Sequence, residues 1–509
     1  MPNRDIDATW KYHNGTKHSY MSLRVHPHFL DWENKPLLFK IYPTLEVTRL
    51  PKDFEPTGVT ALSAIYSPGV SSEKECLPNL DTMAQLLFFT AGVTKSKRFA
   101  GGETFFRAAA CTGALYEIEL YLVCRDLPDL PAGIYHFGTA EFGLRKLRSG
   151  DYRQVLVEAT ASDPAIAHAP LIVICTGTYW RNAWKYRSRT YRHFGWDNGT
   201  ILANLLAVGT SLGLSAKLVM GFVDQQVNAL IDVDPMKEVA FSMVALGNTK
   251  ATPAGVPPLE ALNLALMPYS KEEVDYPPMR QMHEASSLVS SDEVTSWRQA
   301  TLTQSSLAAK GSLVDLQPPP GSTLPPDTIE QVIQRRGSTR KFSRESISLG
   351  ELSTILDRAT HGIPADFLTP FGTQLNDLYL IVNNVRDLAP GAYFFHRNKQ
   401  QLELLKEGGF RQQARYLGLE QELPADASVD IFFLADLPKI LTTFGNRGYR
   451  AAQLEAGIIG GKLYLAAYTL RLGATGLTFY DDDVVNFFSP HARGKNAIFL
   501  VCCGRTAKN

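Results

Sequence analysis

Apolar and polar positions along this chain follow one order, and they follow it twice. In the first run, a helix-period stretch from Leu80 to Thr90 leads through a polar loop to a β-branched strand, Leu120 to Cys124. A Pro/Gly turn and a second strand, Gly133 to Phe137, complete a hairpin signal. A charged helix near Tyr152, an apolar strand (Leu171 to Cys175), a long apolar helix (Asn198 to Leu212) and a closing strand (Ala240 to Leu246) follow. The second run reads Leu349 to Thr360, Leu378 to Asn383, Gly391 to Phe395, a helix near Phe410, Val429 to Leu434, Glu455 to Leu472 and Ala497 to Cys503. Both long helices precede a glycine, which suits a left-handed residue just past a helix end.

The two runs are in register. Tyr121 and Tyr379, Tyr135 and Tyr393, and Tyr191 and Tyr449 are each 258 positions apart. A constant spacing through loops as well as strands marks a duplicated domain, at a period too long for a solenoid. Helices interleaved with hairpin strands predict an α+β fold with a mixed sheet rather than a doubly wound parallel one. Between the copies, Pro268 to Pro326 breaks composition with paired prolines, a Ser-rich tract and LQPPPGSTLPPD, and reads as a partly extended linker. The expected organisation is an N-terminal arm (1–60), a first domain (61–267), that linker (268–326) and a second domain (327–509). Long helices that are apolar all round need burial on both sides, so the copies are expected to pack on each other.

Composition adds mainly exclusions. Of 509 residues 45% are hydrophobic and 20% charged, and the formal net charge is zero, so nothing favours a nucleic acid or an anionic membrane as partner. Six scattered cysteines without a CxxC spacing make neither a disulfide framework nor a zinc site. The N-terminus lacks an apolar export region, which points to a cytoplasmic protein. Ile201 to Val223 contains Asn204 and Lys217 and reads as a buried helix running into a strand rather than a membrane span.

Candidate chemistry concentrates in the second copy. Arg335-Arg336-Gly337-Ser338-Thr339-Arg340 places three guanidinium forks and two hydroxyls where they can converge on a phosphate. A solvated basic helix end, favoured by its dipole, explains the same residues. Gly473-Ala474-Thr475-Gly476 lets backbone N–H groups approach a ligand, and Arg505 follows the last strand. Lys95 to Arg98 reads as a solvated loop.

RRGSTRKF resembles the RRSxRxF phosphate-binding signature of the FMN-dependent nitroreductase family. The segment from Arg107 to Val123 is similar to that family's RxxPSxGxxxPxExYxV, which lines the flavin ring. Ala110 and Cys111 stand where the motif has proline and serine, leaving those contacts, with Thr112 and Gly113, mainly to the backbone. Tyr12-His13-Asn14-Gly15-Thr16-Lys17-His18 resembles the YHxxTKH opening of the SagB-type dehydrogenase branch, as does Lys185-Tyr186 ahead of Tyr191-Arg192. That branch includes oxidases that convert azolines in modified peptides to thiazoles and oxazoles.

The resemblance implies two nitroreductase-like domains in tandem, packed as an intramolecular pseudo-dimer with FMN between them. The phosphate arginines have no counterpart 258 positions earlier, where Leu77, Pro78 and Thr82 stand. Arg107 and Lys185-Tyr186 fall opposite Ala365 and Thr443-Phe444. One complete site would then combine Arg335, Arg336, Ser338, Arg340, Gly476 and Arg505 with Arg107 to Gly113, and Lys185 and Tyr186 would move protons. A second, weaker site would use Lys17 and His18 with Thr373 to Asn376, unless Tyr12 to His18 is an ordered arm. The implied activity is flavin-dependent oxidation of a heterocycle or peptide. An NAD(P)H-dependent nitro, quinone or flavin reductase and a degenerate flavin- or peptide-binding protein are the alternatives. The pairs Asp197/Asn204 and Glu455/Lys462 read as caps or bridges of buried helices. Asp481-Asp482-Asp483 reads as a solvated turn, since adjacent aspartates cannot all face one ion, and no metal site is expected.

Overall fold

The computed structural model describes residues 2–507 apart from 26, 67–73, 100–101, 254, 256–257 and 304–307. Two seven-stranded sheets share one topology. The first runs Thr48–Arg49, Gly143–Ser149, Gly133–Gly138, Ile118–Cys124, Leu171–Thr178, Glu238–Leu246, Ala216–Val219. The second runs Leu313–Asp315, Gln401–Glu407, Gly391–His396, Asn376–Val382, Val429–Ala435, Asn496–Gly504, Gly473–Leu477. Neighbours within both sheets are antiparallel rather than mixed. The register repeats as well: Tyr121 faces Ile174 as Tyr379 faces Phe432. The central strands are buried along their whole length, which is why they read as continuous apolar runs rather than alternating ones.

The two long helices, Thr190–Ser211 and Asn446–Thr469, start earlier than their apolar stretches and cross at the centre of the molecule. Small residues set the distance between them. A Cβ on Gly199 would lie 2.4 Å from the carbonyl carbon of Gly457, and one on Gly461 2.6 Å from the Cβ of Ala203. Gly213 ends the first helix in the left-handed region (φ +72), as expected. In the second copy Arg471 (φ +59) takes that role instead. Gly473 opens the edge strand, where a Cβ would meet the Thr339 hydroxyl at 2.1 Å.

The 258-residue register does not extend upstream of the sheets. Helices Leu80–Ala91 and Leu349–Thr360 start 269 positions apart. The first copy alone has a hairpin, Val93–Phe99 with Gly102–Arg107, between that helix and the sheet. Part of the segment between the copies is also helical. Pro277–Ala285 and Ser291–Gln299 bury Met279, Met282, Val294 and Trp297, and Trp297 packs on Phe367 and Phe444. Among the described residues, no helix is long and apolar enough to cross a membrane.

Candidate functional site

A cavity of about 670 Å³ opens between the copies, within the usual range for cofactor sites. One wall comes from the first copy. Asp197, on the first long helix, accepts the Thr112 amide (2.9 Å) and hydroxyl (2.9 Å), and Thr200 donates to the Ala110 carbonyl (2.6 Å). These bonds pin Ala110–Gly113 across the helix. Gly113 sits at φ +65, and a Cβ there would meet the Tyr186 hydroxyl at 2.9 Å, so only glycine permits the turn. Burial and neighbouring Glu117 push the Asp197 carboxyl well up. Burial, Asp197 and Glu117 push up the Cys111 thiol, whose Sγ lies 3.3 Å from Asp197 and 3.5 Å from Glu117. That thiol is therefore protonated and a weak nucleophile.

The opposite wall comes from the second copy. Helix Ile329–Arg335 begins with a Thr328/Gln331 capping box and stops one residue before Arg336, which has extended backbone angles. The buried Arg336 guanidinium donates to the carbonyls of Arg107 and Ala108 (3.0 Å each), joining the walls. Tyr464 sits 3.3 Å from the Ser338 hydroxyl and accepts the Gly476 amide (2.5 Å). Lys95 donates to the carbonyls of Arg335 and Arg336 (3.2 and 3.0 Å). Lys185 stands at the mouth beside Tyr186, its ammonium 5.3 Å from that ring.

Of the expected residues, Arg107, Ala110, Cys111, Thr112, Gly113, Lys185, Tyr186, Arg336, Ser338, Arg340 and Gly476 line this one cavity. Arg335 and Arg505 do not. Arg335 is held by Asp327 (3.0 Å) and the Tyr468 carbonyl (2.9 Å), and Arg505 by the Ser346 carbonyl (3.0 Å) and Glu351 (3.1 Å). Both brace the helices flanking the site. The comparison of Arg335–Arg340 with Leu77, Pro78 and Thr82 also fails, because the register there is not 258. Measured from helices Ala61–Tyr66 and Ile329–Arg335, which start 268 apart, the counterparts would be residues 67–72, all of which lie outside the described residues.

Sequence reasoning missed several lining residues, among them Lys95, His193, Trp196 and Tyr464. Lys95 belongs to the hairpin rather than to a solvated loop. His193 is held neutral by burial and Arg189 and contacts Asn182 (2.7 Å). Trp196 stacks on Phe499 (4.9 Å between centroids). The helical pair residues Asp197 and Glu455 do brace segments, but each grips the loop before its sheet; Glu455 accepts the Leu375 and Asn376 amides (2.9 Å each).

The opposite half-site is built differently. Leu218 donates to the Pro364 carbonyl (2.8 Å) and accepts the Asp366 amide (3.1 Å), while the Asp366 carboxyl takes the amides of Met220 and Gly221. The sheet edge is therefore stapled to the loop that its counterpart faces across the cavity. Tyr12 to His18 is an ordered arm: Tyr12 donates to the Ser188 carbonyl (2.6 Å), His13 meets Tyr449 (3.2 Å) and Lys17 pairs with Asp482 (2.7 Å). The aspartate run is not a solvated turn. Asp481 is buried on Arg189 (3.0 Å) and Arg192 (2.6 Å), and Asp483 accepts from Tyr416 (2.9 Å).

Comparison with known proteins agrees with this architecture. Residues 333–505 match the model described as the Nitroreductase family. A protein named as a nitroreductase, MJ1384 of Methanocaldococcus jannaschii, is 25% identical over 168 residues, covering 33% of this chain and 80% of that protein. Trifolitoxin-processing protein TfxB of Rhizobium leguminosarum is 30% identical over 179 residues; the match spans 33% of this chain and about half (48%) of TfxB. A crystal structure of a protein named a nitroreductase, from Anabaena variabilis, superposes with a TM-score of 0.77 at 24% identity, over 98% of this chain and 99% of that one. The fold is thus two nitroreductase-like α+β domains paired within one chain.

Proposed function

We propose that the chain is an FMN-dependent oxidoreductase with one FMN per chain, oxidising a heterocycle or a peptide-borne ring. The observation that carries this reading is the cavity shared between copies, where the phosphate-type cations of one meet the ring-facing loop of the other. Its donor set suits the cofactor. Arg336, Arg340 and Lys95 supply positive charge, the Ser338 hydroxyl supplies a neutral donor, and the Ala110–Gly113 backbone, Gly476 and Trp196 offer a wall for a planar ring. When bound, FMN would supply the hydride-accepting chemistry.

The chain's own residues would orient the substrate and move its proton. Burial with the cations Arg340 and Lys35 lowers the Lys185 pKa, which favours a neutral amine able to take a proton from the substrate. Burial and Asp197 raise the Tyr186 pKa, so its hydroxyl remains a donor that holds the substrate in place. The similarity to a protein named for trifolitoxin processing favours a peptide-borne substrate over a free nitroaromatic.

The test is bound FMN per chain, read from the visible spectrum of purified wild type, Arg336→Ala and Lys17→Ala. One equivalent is expected in wild type. Arg336→Ala should lose most of it, at about 2–5 kcal/mol for removing one partner of a buried charge contact. Lys17→Ala should retain it, because Lys17 pairs with the exposed Asp482. Two equivalents in wild type, with one surviving in Arg336→Ala, refute the one-site reading, and a colourless protein refutes the flavin. Fast anaerobic bleaching by NAD(P)H would transfer the assignment to the reductase alternative.

A further inference from the structure

Between Tyr186 and Trp196 stands His193, whose ring is 1% exposed yet lines the cavity shared by the copies. Its surroundings fix its proton. Asn182, on helix Tyr179–Tyr186, donates through Nδ2 to the Thr112 carbonyl (3.4 Å). That turns its Oδ1 toward the Thr190 hydroxyl (3.0 Å) and His193 Nδ1 (2.7 Å). An amide oxygen only accepts, so Nδ1 carries the hydrogen. Burial and Arg189 keep the ring neutral, and a neutral imidazole has one N–H. Nε2 is therefore a bare acceptor, and among the described residues it has no hydrogen-bond partner.

Tyr186 offers the opposite function. Its ring meets His193 edge-on (4.7 Å between centroids), it lines the same cavity, and its raised pKa leaves the hydroxyl a donor. One lone-pair acceptor beside one O–H donor matches a secondary amide, which has one N–H and one carbonyl oxygen. An ester or a carboxylate presents only acceptors and would leave Nε2 facing a lone pair. The second copy shows that the fold does not need this trio. The 258-residue counterparts of Asn182, Tyr186 and His193 are Ile440, Phe444 and Ala451, all buried. The half whose sheet edge is stapled has apolar side chains at all three positions, while the open half bears the desolvation of burying polar ones.

We propose that His193 is a specificity-determining residue of the shared cavity, accepting through Nε2 the N–H of a secondary amide beside the substrate ring while Tyr186 donates to that amide's carbonyl. This rests on the proposed substrate role of Lys185 and Tyr186. It adds that the ring is amide-linked, as in a peptide, rather than a free acid or an ester. The probes are the N-methylamide and the methyl ester of 2-phenylthiazole-4-carboxylic acid, alike in shape except for the N–H. Each is titrated by calorimetry into the purified full chain, and FMN per chain is read in every sample. The amide should bind at least about tenfold more tightly than the ester. His193→Phe should bring the two within about twofold, and His193→Gln, which keeps a carbonyl acceptor, should restore part of the preference. Equal binding in wild type, failure of both probes, or a preference that survives in His193→Phe overturns the proposal. Should His193→Phe not fold, the wild-type ratio and His193→Gln decide it. FMN lost from a folded His193→Phe also overturns it, by giving the imidazole to the cofactor. The flavin reading fails separately: a colourless protein that still prefers the amide refutes FMN and leaves the His193 assignment in place.

Discussion

Lys185 and Tyr186 are neighbours in sequence, yet their surroundings shift their pKa values in opposite directions, the lysine down and the tyrosine up, as the proposed proton-moving roles require. The lysine is eased toward its neutral form and the tyrosine is held in its protonated one. Lys185→Met should therefore keep its FMN while turnover of an azoline test substrate falls by about 10²–10⁴-fold, measured as product formed under air. A second buried group can be checked by pH alone. Burial lifts the Asp430 carboxyl to about 8, with Asn383 donating to one oxygen (2.9 Å) and the other oxygen left without a partner. Its folded pKa lies above its unfolded one, so the folded chain holds a proton that the unfolded chain has released. Between about pH 4 and 8 the wild type should lose stability relative to Asp430→Asn as pH rises, by at most about 1.4 kcal/mol per unit. Parallel urea curves across that window would count against the raised carboxyl. At this scale the sequence was legible where chemistry is local, as in the Arg107–Gly113 loop. It was opaque where a partner is remote: Asp481 looked like part of a wet turn because Arg192 lies 289 positions away.

Among the elements, the crossing of the long helices is the most sensitive to volume. Gly199→Ala puts a methyl group into the Gly457 backbone and should cost at least about 1–3 kcal/mol. Gly209→Ala, on the same helix, meets only a Leu246 methyl at 3.9 Å and should be neutral or slightly stabilising, by up to about 1 kcal/mol. Equal unfolding midpoints for the two variants would mean that the helices do not touch as described. Both helices were visible in the apolar pattern, but their first turns were not. The opening turns contain Arg192 and Arg450, charged residues that count against a core helix until their buried partners are known. The hairpin Val93–Arg107 was missed for a related reason. Its lysines and arginine break the alternation that identifies a strand, because most of its first strand faces solvent.

Across the whole molecule, two reciprocal ion clusters tie the copies together. Asp224 of the first takes Arg447 (2.6 Å) and Arg450 (2.8 Å) of the second, and Asp481 of the second takes Arg189 and Arg192 of the first. Burial would raise both carboxyls, but the paired guanidiniums outweigh it and hold both below the usual range. Their contribution is complete above about pH 4 and fades as pH falls further. Asp481→Asn should destabilise by about 3–5 kcal/mol at neutral pH, since it strands two buried cations. Urea unfolding at pH 7 and pH 3 tests this, and the gap between variant and wild type should shrink at the lower pH. The stapled edge at Leu218 and Pro364 belongs to this scale too. In a dimer of identical subunits every substitution appears on both sides of the axis, so neither pocket can be sealed without sealing the other. Fusing the subunits lifts that constraint. One half can be given over to rigidity while the other stays open to ligand, and titration of such a protein should be strictly hyperbolic, with no partner site to answer the first.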